Sequence, residues 1–161
     1  MGIRKYHLGC TGWSLKEWGG NFFTDDAKPD DFLKQYSSVF NAVEGNTTFY
    51  NVPTKETLEK WKRATPDGFK FCFKFHRSIT HEKRLDVEEN ELLNFIETFD
   101  PIADRLGPFH IQLPPNFSSD EFLRLENVVG LLPSSYHYAV EVRHSDFFNH
   151  GRQEHRLNRL L

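Results

Sequence analysis

Residues 69–76 read Phe69, Lys70, Phe71, Cys72, Phe73, Lys74, Phe75, His76, an unbroken alternation of apolar and polar side chains. Successive side chains of a strand point to opposite faces, so a period of two marks a strand with two unlike surfaces. One face carries the four phenylalanines; the other carries Lys70, Cys72, Lys74 and His76. Such a strand fits a sheet covered by helices on one side and lining a polar interior on the other. The same split predicts strands at Tyr6–Thr11, Ala42–Asn46, Phe109–Leu113 and His137–Arg143.

Helical stretches fall between these strands. One runs from about Asp30 to Ser38 behind Pro29, and another covers Thr54–Ala64 with Thr54 as N-cap. Glu88–Arg105 has helical apolar spacing interrupted by Pro101, and Ser119–Leu132 opens on serine and acids. A last helix begins near Gly151. Alternating strands and helices imply an α/β fold with a parallel sheet. The central strands of an open sheet with helices on both faces read as continuous apolar runs, which these do not. One apolar and one polar face per strand favours a TIM-type (β/α) barrel with the polar faces inside.

Size limits that reading. A complete eight-unit barrel takes about 250 residues, and 161 residues accommodate the five predicted units. The expectation is a single partial (β/α)-barrel domain over residues 1–161, the first five-eighths of a barrel ending within its fifth helix. Such a fragment would expose strand edges, and a homodimer covering them is one expected partner arrangement. Net charge of −3 and a pI near 6.2 provide no global basic field for nucleic acid. Cys10 and Cys72 form no CxxC pair, and no apolar leader or membrane-spanning run is evident. A cytoplasmic protein with reduced thiols and no membrane partner is the expectation.

The strand ends carry ordered motifs. They are Gly9-Cys10-Thr11-Gly12-Trp13-Ser14, then Glu44-Gly45-Asn46-Thr47-Thr48-Phe49-Tyr50 with Pro53, then Phe71-Cys72-Phe73-Lys74-Phe75 with Ile79-Thr80-His81. Gln112-Leu113-Pro114-Pro115-Asn116-Phe117 and Ala139-Val140-Glu141-Val142-Arg143-His144 with Asp146-Phe147-Phe148 complete the series. Together they resemble the YecE-like family, domain of unknown function 72. The resemblance implies a (β/α) barrel and brings no established activity. It also implies three further strands in full-length members, and His76 stands where many members would have Pro.

Barrel sites form at the carboxyl ends of strands and in the loops that follow. That rule selects Glu44, Glu141 and Lys74 as candidate catalytic groups. Thr11, Trp13, Asn46, Tyr50, His76, Gln112, Arg143 and His144 are the candidate ligand-binding residues. Charges facing one interior must pair, because an isolated buried charge costs several kcal/mol; a bracing ion network is therefore the structural alternative to a site. Glu44 and Glu141 suit acid/base work, and Arg143 suits a bidentate grip on a carboxylate or phosphate. Lys74 fits as a second cation, or as a nucleophile if strongly desolvated. His7 and His110 lie earlier in their strands and read as structural, and His81 as a surface or hydrogen-bonded histidine. Without HxH, HExxH or a cysteine cluster, no metal and no other cofactor is expected. The expected partner is a small polar or anionic ligand. A nucleic-acid-associated protein, and a non-catalytic scaffold or non-functional truncated copy, are the alternatives.

Overall fold

The computed structural model describes residues 6–161. In chain order the regular elements are α1 (Pro29–Val39), β1 (Ala42–Gly45), α2 (Lys55–Ala64), β2 (Lys70–Phe73), α3 (Glu89–Glu97), β3 (Phe109–Gln112), α4 (Phe122–Leu131), β4 (Tyr138–Glu141) and α5 (Arg152–Leu160). β1 pairs in parallel with β2, placing Glu44 beside Cys72, and β3 pairs in parallel with β4, placing Gln112 beside Glu141. Isolated bridges from Phe71 to Leu106 and from Lys74 to His110 join the two pairs. Along this seam Gly107 N donates to the Phe71 carbonyl at 2.8 Å and Phe75 N to the His110 carbonyl at 2.9 Å. The strands thus stand side by side in chain order with a helix in every crossover, as a parallel α/β arrangement requires. Among the described residues the sheet does not close on itself.

The alternation at residues 69–76 separates the faces as expected. Phe69, Phe71, Phe73 and Phe75 are each at most 1% exposed, while Lys70, Cys72, Lys74 and His76 are half-buried on the opposite face. Burying each phenylalanine contributes roughly 1.5–3 kcal/mol. Trp61 of α2 stacks on Phe71 and Phe73, and Phe99 beyond α3 stacks on Phe73 at 4.6 Å. The helices supply the rest of this layer with Leu58, Leu92, Ile96, Leu125 and Val128.

Local chemistry sets the helix boundaries. α1 starts on Pro29 with Asp30 and Asp31 in its first turn, and the Asp31 carboxylate accepts from Lys28 N at 3.0 Å. Thr54 Oγ1 caps α2 by accepting from Thr57 N at 3.3 Å. Pro101 divides the predicted Glu88–Arg105 helix: α3 ends at Glu97, and a 3-10 turn spans Asp100–Arg105. A proline has no N–H to continue the ladder, so the chain re-enters as a tighter turn.

The first predicted strand is a correction. Tyr6–Thr11 forms no regular strand, and Tyr6 and Leu8 are 82% and 68% exposed rather than covered. The segment still lies along β1, since Ala42 N donates to the Leu8 carbonyl and Glu44 N to the Cys10 carbonyl. The Asn41 side chain takes Leu8 N at 2.7 Å and the Tyr6 carbonyl at 2.8 Å, occupying groups a full ladder would use. Gly9 fits here because a Cβ would stand 1.9 Å from the Ala42 carbonyl oxygen. The leader reading of the amino terminus, at residues 1–5, lies outside the described residues. Cys10 and Cys72 are free thiols, and among the described residues no helix is long and apolar enough to cross a membrane.

Candidate functional site

The carboxyl ends of the strands surround a cavity of about 670 Å³. Glu44 comes from β1, Lys74 from the residue after β2, His110 and Gln112 from β3, Glu141 from β4, and Arg143 from just beyond it. Strand parity turns these side chains inward. The bridge that pairs Lys74 with His110 brings the polar groups of both strand pairs together.

Two carboxylates bracket one imidazole at the floor. His110 Nδ1 lies 3.3 Å from Glu44 Oε1, and His110 Nε2 lies 3.0 Å from Glu141 Oε2. Carboxylates only accept, so each contact requires its own proton, supplied by both ring nitrogens or by one ring nitrogen and a protonated glutamate. Gln112 Nε2 also donates to Glu141 Oε2 at 2.8 Å, and Arg143 Nε donates to Glu141 Oε1 at 2.7 Å. Burial alone would raise the Glu141 carboxyl. The hydrogen bonds from Gln112 and Arg143, with the charges of Arg143 and His110, outweigh it and bring the group down to about 2. Glu141 is therefore ionised throughout the neutral range.

Lys74 occupies the side of the cavity. Its Nζ donates to Gln112 Oε1 at 2.6 Å and lies 4.6 Å from the centre of the Phe49 ring. Burial pulls the ammonium below its ordinary value and Arg143 pulls it further; Glu141 and Glu44 oppose the shift. The Thr48 hydroxyl reaches the Gly45 and Lys74 carbonyls at 2.9 and 2.6 Å, tying the turn after β1 to the end of β2. That turn (Asn46–Phe49) delivers Asn46 and Phe49 to the cavity, with Tyr50 following. Asn46 Oδ1 is buried and has no hydrogen-bond partner among the described residues.

Eight expected site residues line this cavity: Thr11, Glu44, Asn46, Tyr50, Lys74, Gln112, Glu141 and Arg143. Three others serve elsewhere. Trp13 packs edge-on against Trp61 at 5.0 Å and Phe71 at 6.3 Å. His76 Nε2 lies 3.1 Å from the Tyr50 carbonyl and its Nδ1 2.8 Å from Ser78 Oγ, joining two loops. His144 caps a 3-10 turn, its Nδ1 accepting from Asp146 N at 3.3 Å.

His110, His81 and Phe49 also line the cavity, beyond the expected site residues. The signal for His110 was its parity, which it shares with Gln112 two residues on. His81 sits on a π-helical turn (Ser78–Glu82), a geometry common at functional sites. Burial lowers its pKa, and so do the cations of Lys74, Arg143, Arg77 and Arg84. Among the described residues no group of three or more His, Cys, Asp or Glu is placed to hold a metal ion.

A parallel α/β chain with a polar cavity at its strand ends is the class that the geometry defines. The family model described as "Protein of unknown function DUF72" matches residues 7–161, and the chain belongs to that family. It is 37% identical over 155 residues to the UPF0759 protein YecE of Escherichia coli strain K12, covering 96% of this chain and 54% of that protein. It is 25% identical over 115 residues to the UPF0759 protein YunF of Bacillus subtilis strain 168, covering 71% of this chain and 36% of that protein. The crystal structure of a DUF72 family protein from Thermotoga maritima MSB8 superposes with a TM-score of 0.79 at 29% identity, over 96% of this chain and 61% of that one. A DUF72 family protein from Enterococcus faecalis V583 superposes with a TM-score of 0.74 at 23% identity, over 94% of this chain and 55% of that one, and shares the fold. The chain thus spans about half the length of the YecE sequence it matches.

Proposed function

We propose that the cavity binds a small anionic, polar molecule and moves a proton on it. The observation that carries the reading is Arg143. One nitrogen of its guanidinium is committed to Glu141, and among the described residues its two terminal nitrogens have no hydrogen-bond partner. A planar guanidinium with the four N–H groups of its two terminal nitrogens left over takes a carboxylate or phosphate in bidentate fashion. Lys74 adds a second positive charge, and the cations that add to burial in lowering the His81 pKa favour an anion in the same space. Asn46 lines the same space with its Oδ1 buried and unpartnered. The Glu44–His110–Glu141 chain supplies the acid and base.

The five helix-bearing units read as part of the wall of a (β/α) barrel, with the phenylalanine face outside and the site within. Parallel neighbours in chain order and the inward polar parity support this. The two free thiols favour a reducing compartment, which makes the cytoplasm our reading of its location.

Calorimetric titration with inorganic phosphate and with glycolate tests the binding. The expected result is saturable binding of at least one of them to the wild type, weakened tenfold or more by Arg143→Ala and by Lys74→Ala. Absence of binding, or binding that neither substitution changes, overturns the proposal.

A further inference from the structure

We propose that Lys74 is a nucleophile, condensing with the carbonyl carbon of a small oxo-acid whose carboxylate is held by Arg143. This rests on the anion reading above and names the substrate class for the same cavity.

Three lysines of this chain pair directly with carboxylates, Lys60 with Asp30 at 2.7 Å, Lys62 with Asp104 at 2.6 Å and Lys83 with Glu91 at 2.5 Å, while exposed lysines such as Lys16, Lys34 and Lys55 are left to solvent. Lys74 shares its cavity with two glutamates and contacts neither within ion-pair distance, meeting instead a neutral amide oxygen and an aromatic face. Glu141 is engaged by Arg143, Gln112 and His110, and Glu44 faces His110. The two carboxylates are thus held by other donors. The amine is half-buried beside Arg143, and both lower its pKa against the opposing pull of Glu141 and Glu44, so its ammonium gives up a proton to become the nucleophile more readily than an exposed lysine does.

The surrounding groups suit the condensation. The Lys74 nitrogen pair attacks the carbonyl carbon, the C–N bond forms, and the C=O pair moves onto oxygen, which takes a proton. The hydroxyl then takes a second proton and leaves as water while nitrogen gives up its two protons and closes the C=N bond. Two protons leave nitrogen and two arrive on oxygen, so amine and carbonyl become imine and water without any oxidant or reductant. Gln112 bridges Lys74 to Glu141, which continues to His110 and Glu44. That chain places proton acceptors and a proton donor within one amide of the reacting nitrogen. Arg143 fixes the carboxylate next to the carbonyl, which an α-oxo acid requires.

The test uses pyruvate with sodium cyanoborohydride on the 161-residue chain, followed by peptide mapping. The expected result at neutral pH is one reduced adduct on Lys74, with exposed Lys16, Lys34 and Lys55 unlabelled. The adduct should vanish in both Lys74→Arg and Lys74→Met, checked as folded by circular dichroism, and fall at least fivefold in Arg143→Gln. Label spread over the exposed lysines without preference for Lys74, or Lys74 labelling unchanged in Arg143→Gln, overturns the inference. Calorimetry with pyruvate alone separates the two readings. Binding without an adduct defeats the nucleophile and leaves the anion site standing, and neither binding nor adduct defeats both.

Discussion

Glu141→Gln isolates the charge at the centre of the site. Glu141 Oε2 accepts from His110 and Gln112, and Oε1 accepts from Arg143. A glutamine keeps one acceptor; with its oxygen toward His110 and Gln112, its NH₂ meets the Arg143 N–H donor to donor. The folded carboxyl lies at about 2 against an ordinary 4.5 because those hydrogen bonds and charges outweigh the opposing effect of burial. A depressed folded pKa stabilises the fold above the unfolded value, and that contribution is lost as pH falls through the folded one. The window here runs from pH 4.5 down to about 2. At about 1.36 kcal/mol per unit the gap sets a ceiling of roughly 3 kcal/mol. The side chain is 38% exposed, and solvent screening reduces the ceiling to about 1 kcal/mol. Urea unfolding of wild type and variant at several pH values provides the assay. At neutral pH the variant should be less stable by about 1 kcal/mol, and the difference should shrink to a few tenths near pH 2.5. Other carboxylates titrate in both proteins and cancel in the difference. A gap that stays constant with pH, or no gap at neutral pH, would refute the reasoning.

Tyr36→Phe removes a hydroxyl that donates to the Ala42 carbonyl at 3.0 Å and accepts from Cys10 N at 2.6 Å. It should cost about 1–3 kcal/mol and accelerate hydrogen exchange at the Cys10 amide; unchanged exchange would show that the hydroxyl does not tether this segment. Gly45→Ala places a Cβ 2.6 Å from Cδ1 of Phe73, a ring with no exposed surface. Thermal unfolding should show a loss of about 1–3 kcal/mol, partly restored when Phe73→Leu is added; no restoration would place the conflict elsewhere.

Much of the fold was legible because its determinants are local. The parity of Phe69 to His76 fixed both faces of β2, and Pro29, Thr54 and Pro101 marked where helices begin or break. Tyr6–Thr11 misled because its alternation is real while its bonding partner is the side chain of Asn41, more than thirty residues away. No window around Tyr6 contains that competitor. The site divided along the same line. Glu44, Lys74, Gln112 and Glu141 sit on or next to strands, where parity alone turns a side chain inward. Trp13, His76 and His144 have suitable chemistry but sit in loops, whose direction depends on Trp61, Ser78 and Asp146.

Depth along the strand is the part that parity leaves open, and it decides what the site can do. His110 lies one inward step below Gln112, so it reads as structural until the Lys74–His110 register sets β3 against β2. That register puts an imidazole between two glutamates from different strands and leaves Gln112 as the link to Lys74. A network that only braced the strands would satisfy both cations with both carboxylates, as Lys60 and Lys62 are satisfied by Asp30 and Asp104. Here the carboxylates converge on His110, Arg143 meets Glu141 through Nε and keeps the four N–H groups of its terminal nitrogens unspent, and Lys74 rests on an amide and a ring. Arg143 is paired with Glu141, but Lys74 is half-buried with no carboxylate in contact, and an ion so placed loses hydration that an amide and a ring only partly replace. A ligand that supplies the missing anion recovers that loss, and so the same imbalance that weakens the fold is the source of the binding energy we assign to the cavity.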